Sequence, residues 1–80
     1  MPFFLLHHRH EPADCAAAFA AWSGFASPPR HRPAPSTCLS GGHAIWWSVE
    51  AASPAAALQM LPRFVAQRTL TTHVRDVEIP

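Results

Sequence analysis

The 80-residue chain contains no lysine, and its charge is small and balanced. Six arginines face five carboxylates, which leaves a formal net charge of +1 at pH 7. A charge this close to zero gives no electrostatic basis for binding nucleic acid or an anionic membrane surface. Hydrophobic residues nevertheless make up 49% of the sequence, which excludes wholesale disorder. We therefore expect a single folded domain over residues 1–80, with neither nucleic acid nor membrane as a partner.

Long apolar runs and cysteines are also scarce. The apolar run near the N-terminus covers only residues 3–6, which is shorter than the core of a signal peptide. No stretch approaches the roughly 18 to 20 apolar residues of a membrane span. The two cysteines, Cys15 and Cys38, do not form a disulfide framework. We expect a cytoplasmic protein in which both thiols are free.

Several motifs that would identify a reaction are missing. The sequence has no HExxH, CxxC or C-x-x-H spacing, and no GxGxxG or P-loop for a phosphate. The pair Gly41 and Gly42 therefore predicts a tight hairpin turn rather than a phosphate-binding loop. No cofactor is expected from these patterns.

The remaining patterns predict alternating strands and helices. The first strand covers residues 2–10, a helix follows over 11–25, and a proline-rich loop over 26–36 leads to a short strand at 36–40. A third strand at 43–51 precedes a helix that begins at Ser53 and Pro54 and extends to Val65. Pro62 should divide that helix. A fourth strand is predicted at 72–79.

The order β-α-β-β-α-β suggests a ferredoxin-like α+β domain. In that arrangement an antiparallel sheet has the spatial order 4-1-3-2, and both helices cover one face. The first and third strands would be central, which agrees with their apolar residues on both faces. The second and fourth strands, at the edges, carry mostly polar residues.

The adjacent tryptophans of the third strand require cover on both faces of the sheet, because neighbours on a strand point to opposite sides. The helices should cover Ile45, Trp47 and Val49. Nothing else in the chain is left to cover the face of Trp46, Ser48 and Glu50. We therefore expect a homodimer in which two such faces meet across a two-fold axis. The pattern leaves open which residues of the first strand share the face of Trp46.

Four segments carry a family resemblance: the Phe-rich first strand, "FAAWSGF", "GGHAIWWSVEA" and "VRDVEIP". With them the chain resembles the dimeric α+β barrel superfamily, and within it a set of short bacterial proteins. The superfamily includes antibiotic-biosynthesis monooxygenases, muconolactone isomerases and stress-responsive barrel proteins. The resemblance implies the ferredoxin-like fold and the homodimer. For an enzyme it implies cofactor-free isomerisation, cyclisation or oxygenation.

The functional expectation is that a small apolar or aromatic molecule binds in a cavity on the sheet face. Glu50 and His8 are the candidate acid–base residues, because a carboxylate beside an apolar wall can have a raised pKa. The other candidate ligand-binding residues are His7, His10, Trp46 and Ser48. Alternatively, Glu50 caps the following helix or pairs with an arginine, and the tryptophans serve only packing.

Two further functional classes stay open. His8 and His10 form an H-x-H pair that can supply two imidazoles to Zn²⁺, Ni²⁺ or Cu²⁺, with a third ligand from His43, His73 or another subunit. This predicts a metal-binding or sensing protein. Cys15 is expected in the core instead, because it shares a helix face with Phe19 and Trp22. The last class is an accessory protein whose second sheet face is filled entirely by its dimer mate.

Overall fold

A three-stranded antiparallel sheet organises the domain in the computed structural model, which describes all 80 residues. The strands are β1 (Phe3–Arg9), β2 (Ala44–Glu50) and β3 (Thr69–Val74), in the spatial order β2-β1-β3. β1 is therefore central, as expected for an apolar first strand, whereas β2, the third predicted strand and also expected to be central, lies at one edge of the three-stranded sheet. In the register, Leu6 lies opposite Trp47 on β2 and opposite Thr71 on β3.

Short helical segments connect the strands: a 3-10 turn at Pro12–Asp14, α1 (Cys15–Ala20), a 3-10 turn at Cys38–Ser40, α2 (Pro54–Leu58) and α3 (Arg63–Ala66). The predicted cap of the second helix is confirmed, because the Ser53 Oγ atom accepts a hydrogen bond from the Ala56 N–H at 3.1 Å. Pro62 lies between α2 and α3, so the predicted division of that helix is also confirmed. The longest helix, α1, has 6 residues, so no helix of the structure could span a bilayer.

The short strand predicted at residues 36–40 is wrong. Only Ser36 pairs with the sheet, through a single bridge to Ile45 on the outer side of β2, and the chain then enters the 3-10 turn at Cys38–Ser40. Prolines at positions 33 and 35 remove two backbone donors just before the bridge, which prevents a longer ladder. The sheet therefore has three full strands instead of the four of a complete ferredoxin-like domain.

The last strand was also predicted too far along the chain. β3 begins at Thr69 and ends at Val74, whereas residues 75–80 form no strand. The register explains the end point. Val74 pairs with Phe3, the first residue of β1, so no further partner exists beyond it.

The hydrophobic core lies between the sheet and the helices. Nine buried side chains form it: Phe4, Leu6, Ile45, Trp47, Val49, Ala51, Ala57, Leu61 and Val65. The expectation that Ile45, Trp47 and Val49 face the helices is confirmed. The expected core position of Phe19 is wrong, because this side chain is 54% exposed while Ala18 is buried. The six-residue α1 turns its small alanine toward the sheet and leaves Phe19 at the margin.

The opposite face of the sheet has no helix over it. Because residues alternate along β1, Phe3, Leu5 and His7 share this open face with Trp46, Ser48 and Glu50. Phe3 and Leu5 are exposed, and Leu70 of β3 is 71% exposed. The alternation also places His8 on the helix-covered face. The structure thus shows that Phe3, Leu5 and His7 are the first-strand residues that share the face of Trp46.

Candidate metal centre

The two candidate acid–base residues lie on opposite faces of the sheet. Glu50 is on the open face, where its carboxylate lies 3.9 Å from the N-terminal amine and both groups are more than half exposed. His8 is fully buried beneath the helices. The structure therefore does not bring Glu50 and His8 into one cavity, and an acid–base mechanism that uses both has no shared site.

Two of the ligand-binding candidates of the open face, Trp46 and Ser48, line an open cleft of about 430 Å³ together with Arg32 and the prolines at positions 33 and 35. The ring of His7 stacks on Trp46, with ring centroids 4.9 Å apart and planes 8° from parallel. Ser48 is exposed beside them. His10, the remaining candidate, lies on the other side and is buried. The structure thus separates the six predicted residues into two groups, and the buried histidines form the group with defined polar geometry.

His8 is held in one tautomer by two hydrogen-bond acceptors. Its Nδ1 atom lies 3.2 Å from the Val65 carbonyl oxygen and 3.3 Å from the Thr69 Oγ1 atom. Thr69 Oγ1 already donates its proton to the same carbonyl at 2.7 Å, so both neighbours of Nδ1 act as acceptors. The Nδ1 atom must therefore carry the proton. In neutral His8 the Nε2 atom is consequently a lone-pair acceptor.

This tautomer determines the state of His10. The Nε2 atom of His8 lies 2.8 Å from the Nδ1 atom of His10, and since the former accepts, the latter must donate. His10 Nδ1 therefore carries the proton, and its Nε2 atom presents a lone pair. That Nε2 atom is buried and has no hydrogen-bond partner in the chain. A histidine that donates one ring N–H and presents the other nitrogen is in the state that binds metals.

Burial keeps both imidazoles neutral. It lowers the pKa of His8, and the nearby His10, Arg68 and His7 lower that pKa further against the opposing effect of the Val65 carbonyl. Burial also lowers the pKa of His10, with a further lowering from His43 and a partial offset from Asp14. Neutral imidazole is the form that coordinates a metal ion.

Cys15 and His43 complete a cluster around His10. One ligand atom from each of the three residues, an imidazole nitrogen or the Cys15 Sγ, lies within 4.8 Å of the others. The Nδ1 atom of His43 is likewise buried without a hydrogen-bond partner. Two unpartnered buried nitrogens are costly, and a cation between them and a thiolate would satisfy both.

Three different elements bring these residues together. His10 follows the last residue of β1, and Cys15 begins α1 after the turn at Pro12–Asp14. His43 immediately precedes β2. Because β1 and β2 are antiparallel neighbours, the end of one lies beside the start of the other, and the His10 N–H donates to the His43 carbonyl at 3.2 Å.

A tight turn sets the position of His43. The Gly42 N–H donates to the Thr37 carbonyl at 2.8 Å, and the Ala44 N–H donates to the Thr37 Oγ1 atom at 3.1 Å. A Cβ atom on Gly42 would collide with the Thr37 side chain. His43 itself has a φ of 54°, a left-handed conformation that is uncommon for residues other than glycine. The predicted tight hairpin at Gly41 and Gly42 is wrong, because the 3-10 turn at Cys38–Ser40 replaces the strand before it; the two glycines lie in the loop that leads to this histidine.

The donor set matches a particular class of metal. Two imidazoles and one thiolate suit Zn²⁺ or copper better than Mg²⁺ or Ca²⁺, which prefer oxygen ligands. Tetrahedral bonds of about 2.0 to 2.3 Å would bring the donor atoms to about 3.3 to 3.6 Å from one another. The observed spread of up to 4.8 Å would have to close by about 1.2 to 1.5 Å on metal binding.

Two members of this cluster were placed differently by sequence reasoning. Cys15 was expected in the core, and His43 was only one of several options for a third ligand. Both ring nitrogens of His8 are engaged in hydrogen bonds, so of the H-x-H pair only His10 offers a free ligand atom. The antiparallel pairing of the two apolar strands could have indicated this contact. It places His10, just after β1, beside His43, just before β2.

Comparisons with known proteins add no further assignment to this geometry. No protein-family model, no curated protein and no solved structure matches the chain.

Proposed function

We propose that this protein binds a transition-metal ion, with Zn²⁺ as the reference ion, through His10 Nε2, the Cys15 thiolate and His43. The observation that carries this proposal is the buried, unpartnered lone pair of His10, whose orientation follows from the hydrogen bonds of His8. Burying the His10 Nε2 atom without a hydrogen-bond partner costs free energy, and an apolar side chain at this position would not incur that cost. A bound ion offsets that cost.

The site would use three protein ligands and leave one position open. Structural zinc sites are commonly closed by four protein ligands, whereas sites that bind or activate a small molecule keep a position for water or substrate. A sensing or small-molecule function is therefore favoured over a purely structural zinc. The negative charge of Asp14 would also stabilise a bound cation. The same charge acts on His10, where it raises the pKa against the lowering effect of burial. The Asp14 carboxylate also contacts Arg68 at 3.9 Å.

A second proposal concerns the open face of the sheet, which we assign to a second copy of this chain. Phe3, Leu5, Trp46 and Leu70 form an apolar surface there, and contiguous exposed apolar patches mark interfaces. The charged groups of the face lie at opposite ends, with Arg9 at one end of β1 and Glu50 beside Phe3 at the other. A two-fold axis that reverses the strand direction brings Arg9 of each copy toward Glu50 of its mate.

The strand arrangement supports the proposed relationship to the ferredoxin-like fold. The single bridge at Ser36 lies outside β2, so the order from edge to edge is Ser36 segment, β2, β1, β3. This is the 4-1-3-2 order with the second strand reduced to one pairing. We propose that the domain is a reduced form of that arrangement, which dimerises through its sheet as the dimeric α+β barrels do.

The metal proposal is tested by titrating the chelator-treated protein with Zn²⁺ and Co²⁺. Zn²⁺ should bind at one equivalent per chain and raise the melting temperature, because the ion binds the folded state. Co²⁺ should produce the charge-transfer absorption of a cobalt–thiolate bond. Cys15→Ser should abolish that absorption, and His43→Ala should weaken Zn²⁺ binding at least tenfold.

The chain contains matched controls for both variants. Cys38 is the other free cysteine and lies in the Cys38–Ser40 turn, and His73 is an exposed histidine on β3. Cys38→Ser and His73→Ala should leave binding unchanged. Loss of the cobalt–thiolate signal in Cys38→Ser instead of Cys15→Ser, or the absence of stoichiometric Zn²⁺ binding, would refute the proposed site.

A further inference from the structure

A separate cavity lies between α1, β2 and the proline-rich loop. Its volume is about 270 Å³, and half of its lining residues are apolar. Phe19, Trp22 and Trp47 form the aromatic wall, and Ile45 contributes to the floor. This volume is slightly below the roughly 300 to 1,000 Å³ found for most small-molecule sites. It matches a ligand with one or two rings.

The aromatic wall is held rigidly by its own packing. Trp22 contacts Trp47 with ring centroids 5.8 Å apart, and it meets the edge of Phe25 at 6.0 Å. Trp22 and Trp47 therefore present fixed faces, as an aromatic ligand requires for stacking. Phe19 is half exposed at the rim. Its ring lies 6.4 Å from the ring of His10, so the cavity and the candidate metal centre are neighbours.

The mouth of the cavity is positively charged and contains no carboxylate. Arg30, His31 and Arg32 line it, and no acidic residue is among its lining residues. The ion pairs of the chain involve Arg68 with Asp14 and the N-terminus with Glu50, so neither Arg30 nor Arg32 is paired. Arginine presents a planar set of donors that matches a carboxylate in two-point contact. The mouth therefore complements an anion.

The loop that carries these arginines is fixed to the domain before any ligand binds. Ser27 Oγ donates to the Met60 carbonyl at 2.7 Å, and Pro29 is buried. Arg30 Nη1 donates to the Phe25 carbonyl at 3.1 Å, which orients the guanidinium and leaves its other donors free. His31 has a φ of 70°, a strained value for a residue that is not glycine. Such preorganisation reduces the entropy cost of binding.

From this geometry we infer that the cavity binds a small aromatic carboxylate, with the ring against Trp22 and Trp47 and the carboxylate at Arg30 and Arg32. The inference is independent of the proposed metal site, since none of the three metal ligands lines the cavity. It also differs from the expected sheet-face cavity, because it places the ligand on the helix-covered side.

The test compares a charged ligand with its neutral analogue. Binding of 1-naphthoate and of 1-naphthalenemethanol is measured by titration calorimetry, with excess chelator and again with saturating Zn²⁺. We expect 1-naphthoate to bind at least tenfold more tightly than the alcohol under both conditions. Arg32→Gln and Arg30→Gln should each reduce 1-naphthoate affinity at least threefold without changing the affinity for the alcohol. Arg75→Gln, which removes an arginine outside the cavity, is the control.

Each alternative outcome counts against the inference. Equal affinity for the acid and the alcohol would show that the arginines do not recognise an anion. A loss in Arg75→Gln as large as in Arg32→Gln would show unspecific attraction. Binding that requires Zn²⁺ and ignores the arginine variants would place the ligand on the metal. Failure to bind either compound at millimolar concentration would overturn the inference about the cavity. The metal proposal would be unaffected by that result, because the Zn²⁺ titration tests it separately.

Discussion

The Nε2 atom of His8 accepts a hydrogen bond from the Nδ1–H of His10 across 2.8 Å, inside the buried layer between sheet and helices. The direction of this bond is imposed by the Val65 carbonyl and Thr69 Oγ1, which accept from the other side of the His8 ring. A residue whose two ring nitrogens are both engaged in hydrogen bonds thereby determines which nitrogen of its neighbour is available. His8 is in this sense a positioning residue for the proposed site.

We predict that His8→Leu weakens Zn²⁺ binding by about 10- to 100-fold, which is the usual cost of removing a partner behind a metal ligand. The leucine leaves His10 Nδ1–H without an acceptor, and His10 is free to change tautomer. His8→Gln should retain more affinity, because its amide oxygen can accept the same hydrogen bond. Competition with a calibrated zinc chelator measures both variants. Equal losses in the two would argue for a merely structural effect, and His73→Leu serves as the unaffected control.

The second prediction concerns pH and the metal-free protein. Because the folded-state pKa values of His8 and His10 lie below the ordinary value near 6.5, the unfolded chain binds more protons than the folded chain in that range. The free energy of unfolding is therefore highest above about pH 6.5. It decreases as pH falls from there toward the lowered pKa values of the two histidines. Each unit of pKa difference corresponds to about 1.4 kcal/mol.

Urea unfolding in the presence of chelator, between about pH 7.5 and pH 5, measures this dependence. His8→Leu should flatten the slope, whereas His73→Leu should preserve it. A free energy of unfolding that stays constant or rises toward pH 5 would contradict the assigned neutral state of the two buried imidazoles.

The third prediction tests the open face. Leu70→Glu introduces a charge on the apolar surface of the proposed dimer interface, opposite His7 in the register, and should convert the proposed dimer to a monomer. Leu39→Glu changes another exposed leucine, which lies in the Cys38–Ser40 turn away from the sheet, and should leave the dimer intact. Sedimentation at micromolar concentration distinguishes the two. If the wild-type protein is a monomer at that concentration, the proposed interface is refuted.

The fourth prediction contrasts two adjacent leucines of β1. Leu6 is fully buried in the core, while Leu5 lies on the open face with 37% exposure. Leu6→Ala should lower the free energy of unfolding by about 2 to 5 kcal/mol through lost burial and an unfilled cavity. Leu5→Ala should cost the folded protomer less and weaken association instead. Comparing the two at several protein concentrations separates the effects, and equal concentration-independent losses would show that both faces are core.

Local patterns in the sequence were sufficient for those features that depend on a few neighbouring residues. Ile45, Trp47 and Val49 alternate with a set that includes Ser48 and Glu50, which predicted the buried face of β2, because strand residues point alternately to the two sides. Ser53 followed by Pro54 determined where α2 begins, and Pro62 determined where the helix divides. These outcomes need only backbone chemistry and periodicity. The central place of β1 followed in the same way from its continuous apolar run.

Tertiary structure decided everything that depends on pairing between distant segments. The strand expected at 36–40 was reduced to one bridge at Ser36, and β3 ended where β1 offered no further partner. The register of β1 against β2 placed His10 beside His43, and the start of α1 brought Cys15 to them. Sequence spacing favoured His8 with His10 as ligands. Only the contacts across the fold determine that His8 supports His10, because hydrogen-bond direction depends on acceptors from the distant residues Val65 and Thr69.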